Sequence, residues 1–261
     1  MMKRIPLHTL ILFVLFLWVN LCYGQQAPAN NKPFTSEEKL VYVARFGFIH
    51  AGEATFSLMK KSFEGEKVFH AKALANTIGL ADRIYKVRDI YESYFDVESG
   101  LTYLAIRNIS EGNYRYYNEV RYNHQRNVVI SQKSGEHEVP DNILDMLATF
   151  YYFREAMLND IKVIGDDIMF DTYFADEIFP LKMRYAGDEI IKTKLGKFKA
   201  MKFSPVVEPG RIFDSEDDVT IWISKDKNFV PLQIRIDLII GSIKCDLTEY
   251  AGLKYPLNQI Q

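Results

Sequence analysis

From Glu38 onward, apolar and polar positions alternate with a period of mostly two. Leu40, Tyr42, Ala44, Phe46 and Phe48 interleave with Val41, Val43 and Arg45, and both sets are largely apolar. That is the pattern of strands with at least one face in a core. It continues at 54–60 and 68–76, separated by the hairpin signal Phe63-Glu64-Gly65-Glu66, and then at 84–96, 102–108, 114–122 and 128–132. Turns fall at Glu98-Ser99-Gly100, Glu111-Gly112-Asn113 and 123–127. After one interruption, strands are predicted again at 168–174, 181–186, 189–195, 198–203, 219–224, 231–238 and 242–250. Gly187-Asp188 and Gly196-Lys197 mark tight turns between neighbours.

The interruption predicts a helix over 141–158. Asp141 or Asn142 can cap it behind Pro140. Ile143, Leu144, Leu147, Phe150, Tyr151, Arg154 and Leu158 then fall on one stripe of period 3.6. Around a dozen short strands with one amphipathic helix point to a mainly β fold. The expected architecture is a large curved antiparallel sheet or half-barrel, with the helix packed on it or plugging its open side. Nothing in composition or repeats marks a second domain, so 37–255 reads as a single β-rich domain.

The N-terminal end is different. Lys3 and Arg4 precede an apolar run from Leu10 to Val19, and the segment closes on Cys22-Tyr23-Gly24 before Gln25-Gln26. A basic start, a short apolar run and small residues at the break form a secretory signal peptide over 1–24. The run is about half of the roughly 20 residues that span a bilayer, which disfavours a permanent anchor. Lipidation at Cys22 is the alternative, and Leu21 before it is bulkier than that signal wants. The expected location is therefore the exported compartment, most simply the periplasm, as a soluble chain cleaved near Gly24. Residues 25–36, polar and proline-bearing, read as a disordered spacer.

Without the leader, 30 basic residues stand against 34 acidic ones, a formal charge of −4. That disfavours nucleic acid and anionic surfaces as the general business of the molecule. Cys245 is then the only cysteine left, so no internal disulfide is possible, and its apolar surroundings in sequence suggest a small buried hydrophobe.

The chemistry-bearing motifs are missing. There is no Gly-x-Ser-x-Gly elbow, phosphate loop or dinucleotide fingerprint, and no cofactor is expected. His50, His70, His124 and His137 lack zinc-helix spacing and suggest no catalytic trio; His124 and His137 read as solvated. The cluster Asp214, Glu216, Asp217, Asp218 lacks the order of a calcium loop and reads as a solvated loop. No catalytic or metal residue is nominated, and the reading is non-enzymatic.

Aromatic patterning is more suggestive. Tyr114, Tyr116, Asn118, Val120 and Tyr122 share one strand face, and Tyr85, Val87, Asp89, Tyr91, Ser93 and Phe95 share another. Such rings either pack as ordinary cross-strand pairs or line a half-wet groove or glycan platform. The candidate binding residues are Tyr91, Tyr114 and Tyr116.

Four ordered stretches also resemble a known family. Glu38 to Tyr42 with Phe46 to Ala54, Asp89 to Asp96 (Asp-x-x-Glu-Ser-Tyr-x-Asp), Asp145 to Arg154 (ending Tyr-Tyr-x-Arg), and Ile221 to Asp226 with Val230-Pro231 resemble the domain of unknown function numbered 3108. Ala148 and Thr149 depart from its helix, and Lys225 and Asn228 from its charged turn. The resemblance implies an exported β-rich envelope protein and brings no catalytic residues. More weakly, the chain resembles the curved-sheet periplasmic lipoprotein carriers, the Lol proteins, which implies a half-barrel closed by helices. The expected function is binding of an apolar or amphiphilic ligand, such as a lipid, lipoprotein or glycan. The alternative is an assembly module that docks an envelope protein or glycan through a sheet edge or aromatic face. Oligomeric state is left open.

Overall fold

In a computed structural model, residues 32–158, 163–205, 218–237 and 241–260 are described. The leader 1–24, the first part of the spacer and Asp214, Glu216 and Asp217 lie outside these residues. Two antiparallel meanders make one sheet. The first runs through β1 (Lys39–Phe46), β2 (Ile49–Phe63), β3 (Glu66–Thr77), β4 (Arg88–Asp96), β5 (Thr102–Glu111), β6 (Tyr114–Asn123), β7 (Val128–Ser131) and β8 (Gly135–Glu138). The second runs through β9 (Asp167–Phe174), β10 (Glu177–Thr193), β11 (Gly196–Pro205), β12 (Val219–Ser224), β13 (Pro231–Asp237) and β14 (Ser242–Ala251). The short β15 (Gln259–Ile260) pairs with β11.

The sheet order is β8-β7-β6-β5-β4-β3-β2-β1-β14-β13-β12-β11-β10-β9. The first and last long strands therefore pair in the middle, with Lys39 opposite Ala251 and Phe46 opposite Ile243. The two outer edges are consecutive in sequence, and the helix bridges them.

That helix, Met146–Ala156, follows a shorter one, Gly79–Ile84; these become α2 and α1. Shared clusters show how far the sheet rolls. Val120, Tyr122 and Val129 at one edge pack with Tyr173 at the other and with Ile143 between them. Leu144 pairs with β9 as an isolated bridge to Thr172: its amide donates to Asp171 O at 3.1 Å, and Tyr173 N donates back to Leu144 O at 2.8 Å. The sheet is barrel-like, and the segment before α2, rather than strand-to-strand pairing, spans its seam.

Several expectations change. The helix starts at Met146, not at 141, because Asp145 supplies the cap: its carboxylate accepts from Leu147 N at 2.8 Å and Ala148 N at 3.3 Å. Ile143 and Leu144 are buried as extended chain rather than as helical stripe. The strand expected from 84 begins at Arg88, since the residues before it form α1 and a turn. Gly187-Asp188 is no hairpin. Gly187, at φ 105°, sits at a register shift between Tyr185 and Gly187 that bends one continuous strand, β10. Of the expected spacer, residues 32–36 are packed: Phe34 is buried edge-on to Phe69 and Tyr151, and Lys32 pairs with Glu155 at 2.6 Å.

Leu147 is buried beside Leu58, Phe69, Phe95 and Tyr151. Leu147→Ala is expected to cost about 2–3 kcal/mol in urea denaturation, the lower part of the leucine range because the side chain also fronts a cavity. A loss under about 0.5 kcal/mol would place this face outside the core.

Candidate functional site

The inner face of the sheet carries small residues where α2 would otherwise touch it. Ala54, Ala73 and Ala75 on β2 and β3 leave space beneath Phe150 and Phe153 of α2. The result is an open cavity of about 410 Å³ between helix and sheet, walled on its far side by Leu181, Met183, Ile221, Ile223 and Ile234. Among the described residues, Tyr91 and Thr149 are its only side chains with a hydroxyl. A second apolar cavity of about 320 Å³ lies beside it and shares Ala54, Phe56, Ala75, Phe150, Pro231 and Ile234. Phe56 and Phe150, stacked with centroids 5.3 Å apart, stand where the two meet. Cys245, half-buried, lines the second cavity, and burial pushes its thiol up. It is a wall residue of the space rather than part of a sealed core.

The other end of the main cavity turns polar. Tyr91 and Phe174 separate it from a small niche of about 40 Å³ that holds Arg107 and Asn118. The Arg107 guanidinium lies 4.3 Å from the Phe174 ring centroid, 5.1 Å from Tyr116 and 6.0 Å from Tyr91. Its Nε is buried without a hydrogen-bond partner among the described residues. Burial raises the hydroxyls of Tyr91 and Tyr116, so both stay neutral donors. Carboxylates surround the cation: Asp176 accepts from Asn118 at 3.2 Å, and burial together with neighbouring Asp89 pushes Glu111 up.

Of the three tyrosines singled out in sequence, Tyr91 lines the cavity and Tyr116 stands behind it against Arg107. Tyr114 is exposed and stacks on Tyr116 at 6.5 Å. Sequence reasoning missed Arg107 and Phe174, and it placed Phe150 only on the helical stripe. Arg107 had a usable signal: it pairs with Tyr91 and Asn118 in register, so its parity places it on the inner face.

The recurring polar residues are architectural. Ser93 Oγ donates to Asp145 at 2.5 Å and Thr102 Oγ1 at 2.8 Å, all three buried. Asp89 accepts from Ser110 N at 2.9 Å, and Glu92 meets His70 at 2.6 Å. Asp96 caps the following turn through the amides of Glu98 and Ser99 at 3.0 and 2.7 Å. Arg154 and Glu38, both fully buried, form a two-pronged ion pair at 2.5 and 2.9 Å. His124 and His137 are half-buried rather than solvated, meeting Thr102 O and Ser134 Oγ at 2.7 and 2.8 Å.

Residues 41–248 match the family described as "Protein of unknown function (DUF3108)". The chain belongs to the DUF3108 family. The match spans the Glu-Ser pair of β4, the cap and arginine of α2, and the β12–β13 hairpin. No curated protein matches. Among solved structures, this DUF3108 chain is similar to a beta-barrel-like protein of domain of unknown function DUF1849 from Brucella abortus. That likeness has a TM-score of 0.57 at 8% identity and covers 85% of this chain and 99% of the other. It supports the barrel-like fold of this DUF3108 member and nothing finer.

Proposed function

We propose that this protein is a non-catalytic binding protein that takes an apolar or amphiphilic ligand of the lipid class between α2 and the inner sheet face. The observation that carries this reading is the main cavity, whose size and almost wholly apolar wall suit an acyl chain. The adjoining niche supports an amphiphile over a plain hydrocarbon, since the neutral hydroxyl of Tyr91 and the orphaned Arg107 Nε stand at one end. The leader read over 1–24 supports a site of work outside the cytoplasm. Among the described residues no helix is long and apolar enough to cross a membrane.

The test is ligand retention. Protein purified from its own envelope is expected to carry a lipid in native mass spectrometry and to take up a fluorescent fatty-acid analogue. Ala75 borders both cavities, so Ala75→Trp fills them from a short side chain without removing a core contact. It is expected to weaken uptake about tenfold or more while leaving the denaturation midpoint within the small range of mild overpacking. No retained lipid and no uptake by wild type would favour an assembly module instead.

A further inference from the structure

The second cavity opens toward one end of the barrel. Its last ring, Ala44, Gly52, Thr77 and Cys245, lies within a few residues of the β1–β2 hairpin tip. At that tip Phe48 is fully exposed, with Phe46 and Ile49 beside it nearly half exposed. The β3–β4 connection reaches the same end: Ile78 N donates to Ala51 O at 3.1 Å, setting α1 against the start of β2. From α1 and the residue after it, Leu80, Ile84 and Tyr85 also face solvent. Isolated exposed apolar side chains are ordinary, whereas six from two adjacent connections around one opening form a patch.

Among the described residues, the exposed charge of α1 and the turn after it is cationic. Asp82 is committed to Arg88 at 2.7 Å, and Arg45 to Asp246. Arg83 and Lys86 stand exposed among the apolar residues. Arg115 crowns the next hairpin, donating to Gly112 O and Tyr114 O at 2.7 Å each. Among the described residues, Glu53 at the lip of the cavity and Glu111, bridged to Val87, are the carboxylates nearest them besides Asp82. A chain with more acidic than basic residues thus gathers bases and bare aromatic rings where its apolar space opens. Large apolar side chains flanked by Arg and Lys match the boundary between headgroups and acyl chains of an anionic bilayer.

We infer that this rim is a membrane-docking surface: Phe48, Ile49, Leu80 and Ile84 enter the surface of an anionic phospholipid bilayer, with Arg83 and Lys86 on its headgroups. The inference rests on the lipid-binding reading above, for which it supplies the place where the ligand is exchanged.

Co-sedimentation tests it, using protein whose N-terminus has been fixed by intact mass, with vesicles of phosphatidylcholine and phosphatidylglycerol in equal parts or of phosphatidylcholine alone. Wild type is expected to bind the mixed vesicles and to bind them less in high salt. Phe48→Ser with Ile84→Ser should lower that binding about tenfold or more, with an unchanged denaturation midpoint because both side chains are exposed. Arg83→Gln with Lys86→Gln should weaken binding to the mixed vesicles and leave binding to phosphatidylcholine alone as it was. The two readings separate cleanly. The double serine variant keeps fatty-acid uptake in solution and loses vesicles, whereas Ala75→Trp loses uptake and keeps vesicles. Absence of wild-type binding to the mixed vesicles, or equal binding by the double serine variant, overturns the docking surface. So does a concentration-dependent dimer that the serine variant abolishes, because the patch then covers a second copy.

Discussion

Glu38→Ala is expected to lower stability by about 3–5 kcal/mol in chemical denaturation, the cost of stranding a buried charge. The charge left behind belongs to Arg154, whose side chain is fully enclosed. Burial works against that guanidinium, and the Glu38 carboxylate overrides it, holding Arg154 above its ordinary range. The same guanidinium donates to Asn228 O at 3.1 Å and lies 5.4 to 5.7 Å from the rings of Phe34, Phe150 and Tyr151. It therefore ties α2 to the segment leading into β1 and to the β12–β13 turn. Replacing both partners, Glu38→Ala with Arg154→Met, should recover much of the loss, because no charge then remains to be solvated. A single-variant loss below about 1 kcal/mol, the range of exposed pairs, would mean the pair opens to water.

Asp145→Ala should cost roughly 3 kcal/mol or more. It removes the cap of α2 and strands the buried hydroxyls of Ser93 and Thr102, each effect worth about 1 kcal/mol or more. Asp145→Asn keeps an oxygen for the helix amides and should cost far less. The two variants also read the electrostatics. Burial pushes the Asp145 carboxyl above its ordinary 3.8, despite the four hydrogen bonds that favour its charge. A raised folded value means the native state holds the proton more tightly than the unfolded chain. This group's stabilising contribution is then complete below pH 3.8 and is lost as pH rises through the folded value. Subtracting the Asp145→Asn stability curve from wild type should expose that fall with rising pH. A difference rising with pH would mean the carboxylate is held charged.

The β content was legible because period-two alternation survives wherever one strand face is buried, as in Leu40, Tyr42 and Ala44. It failed where a local device intervened. A bulge at Gly187 has the same glycine signature as a turn, and only the pairing partner distinguishes them. The start of α2 was misplaced because Pro140-Asp141-Asn142 carries a stronger local cap signal than Asp145, whose hydroxyl partners come from β4 and β5. Phe34 looked like part of a polar spacer, and its burial depends on Tyr151 and Phe69, far off in sequence. Tyr91 was found because its strand is rich in rings. Arg107 was passed over, since a single arginine in a strand usually points to water, although its parity with Tyr91 and Asn118 sets it on the inner face beside the rings of Tyr116 and Phe174.

The meeting of β1 with β14 in mid-sheet also sets an order on biosynthesis. Every other neighbouring pair in the two meanders joins strands adjacent in the chain, and such pairs can form as soon as both have left the ribosome. The pair that joins Lys39 to Ala251 must close a loop of nearly the whole chain, at the largest entropic cost in the sheet. Until Ser242 to Ala251 is synthesised, β1 offers an open hydrogen-bonding edge flanked by Leu40, Val41 and Tyr42, the kind of edge that recruits other chains. A nascent chain is thus most exposed to aggregation at what becomes the centre of its sheet, and only its last long strand removes that hazard.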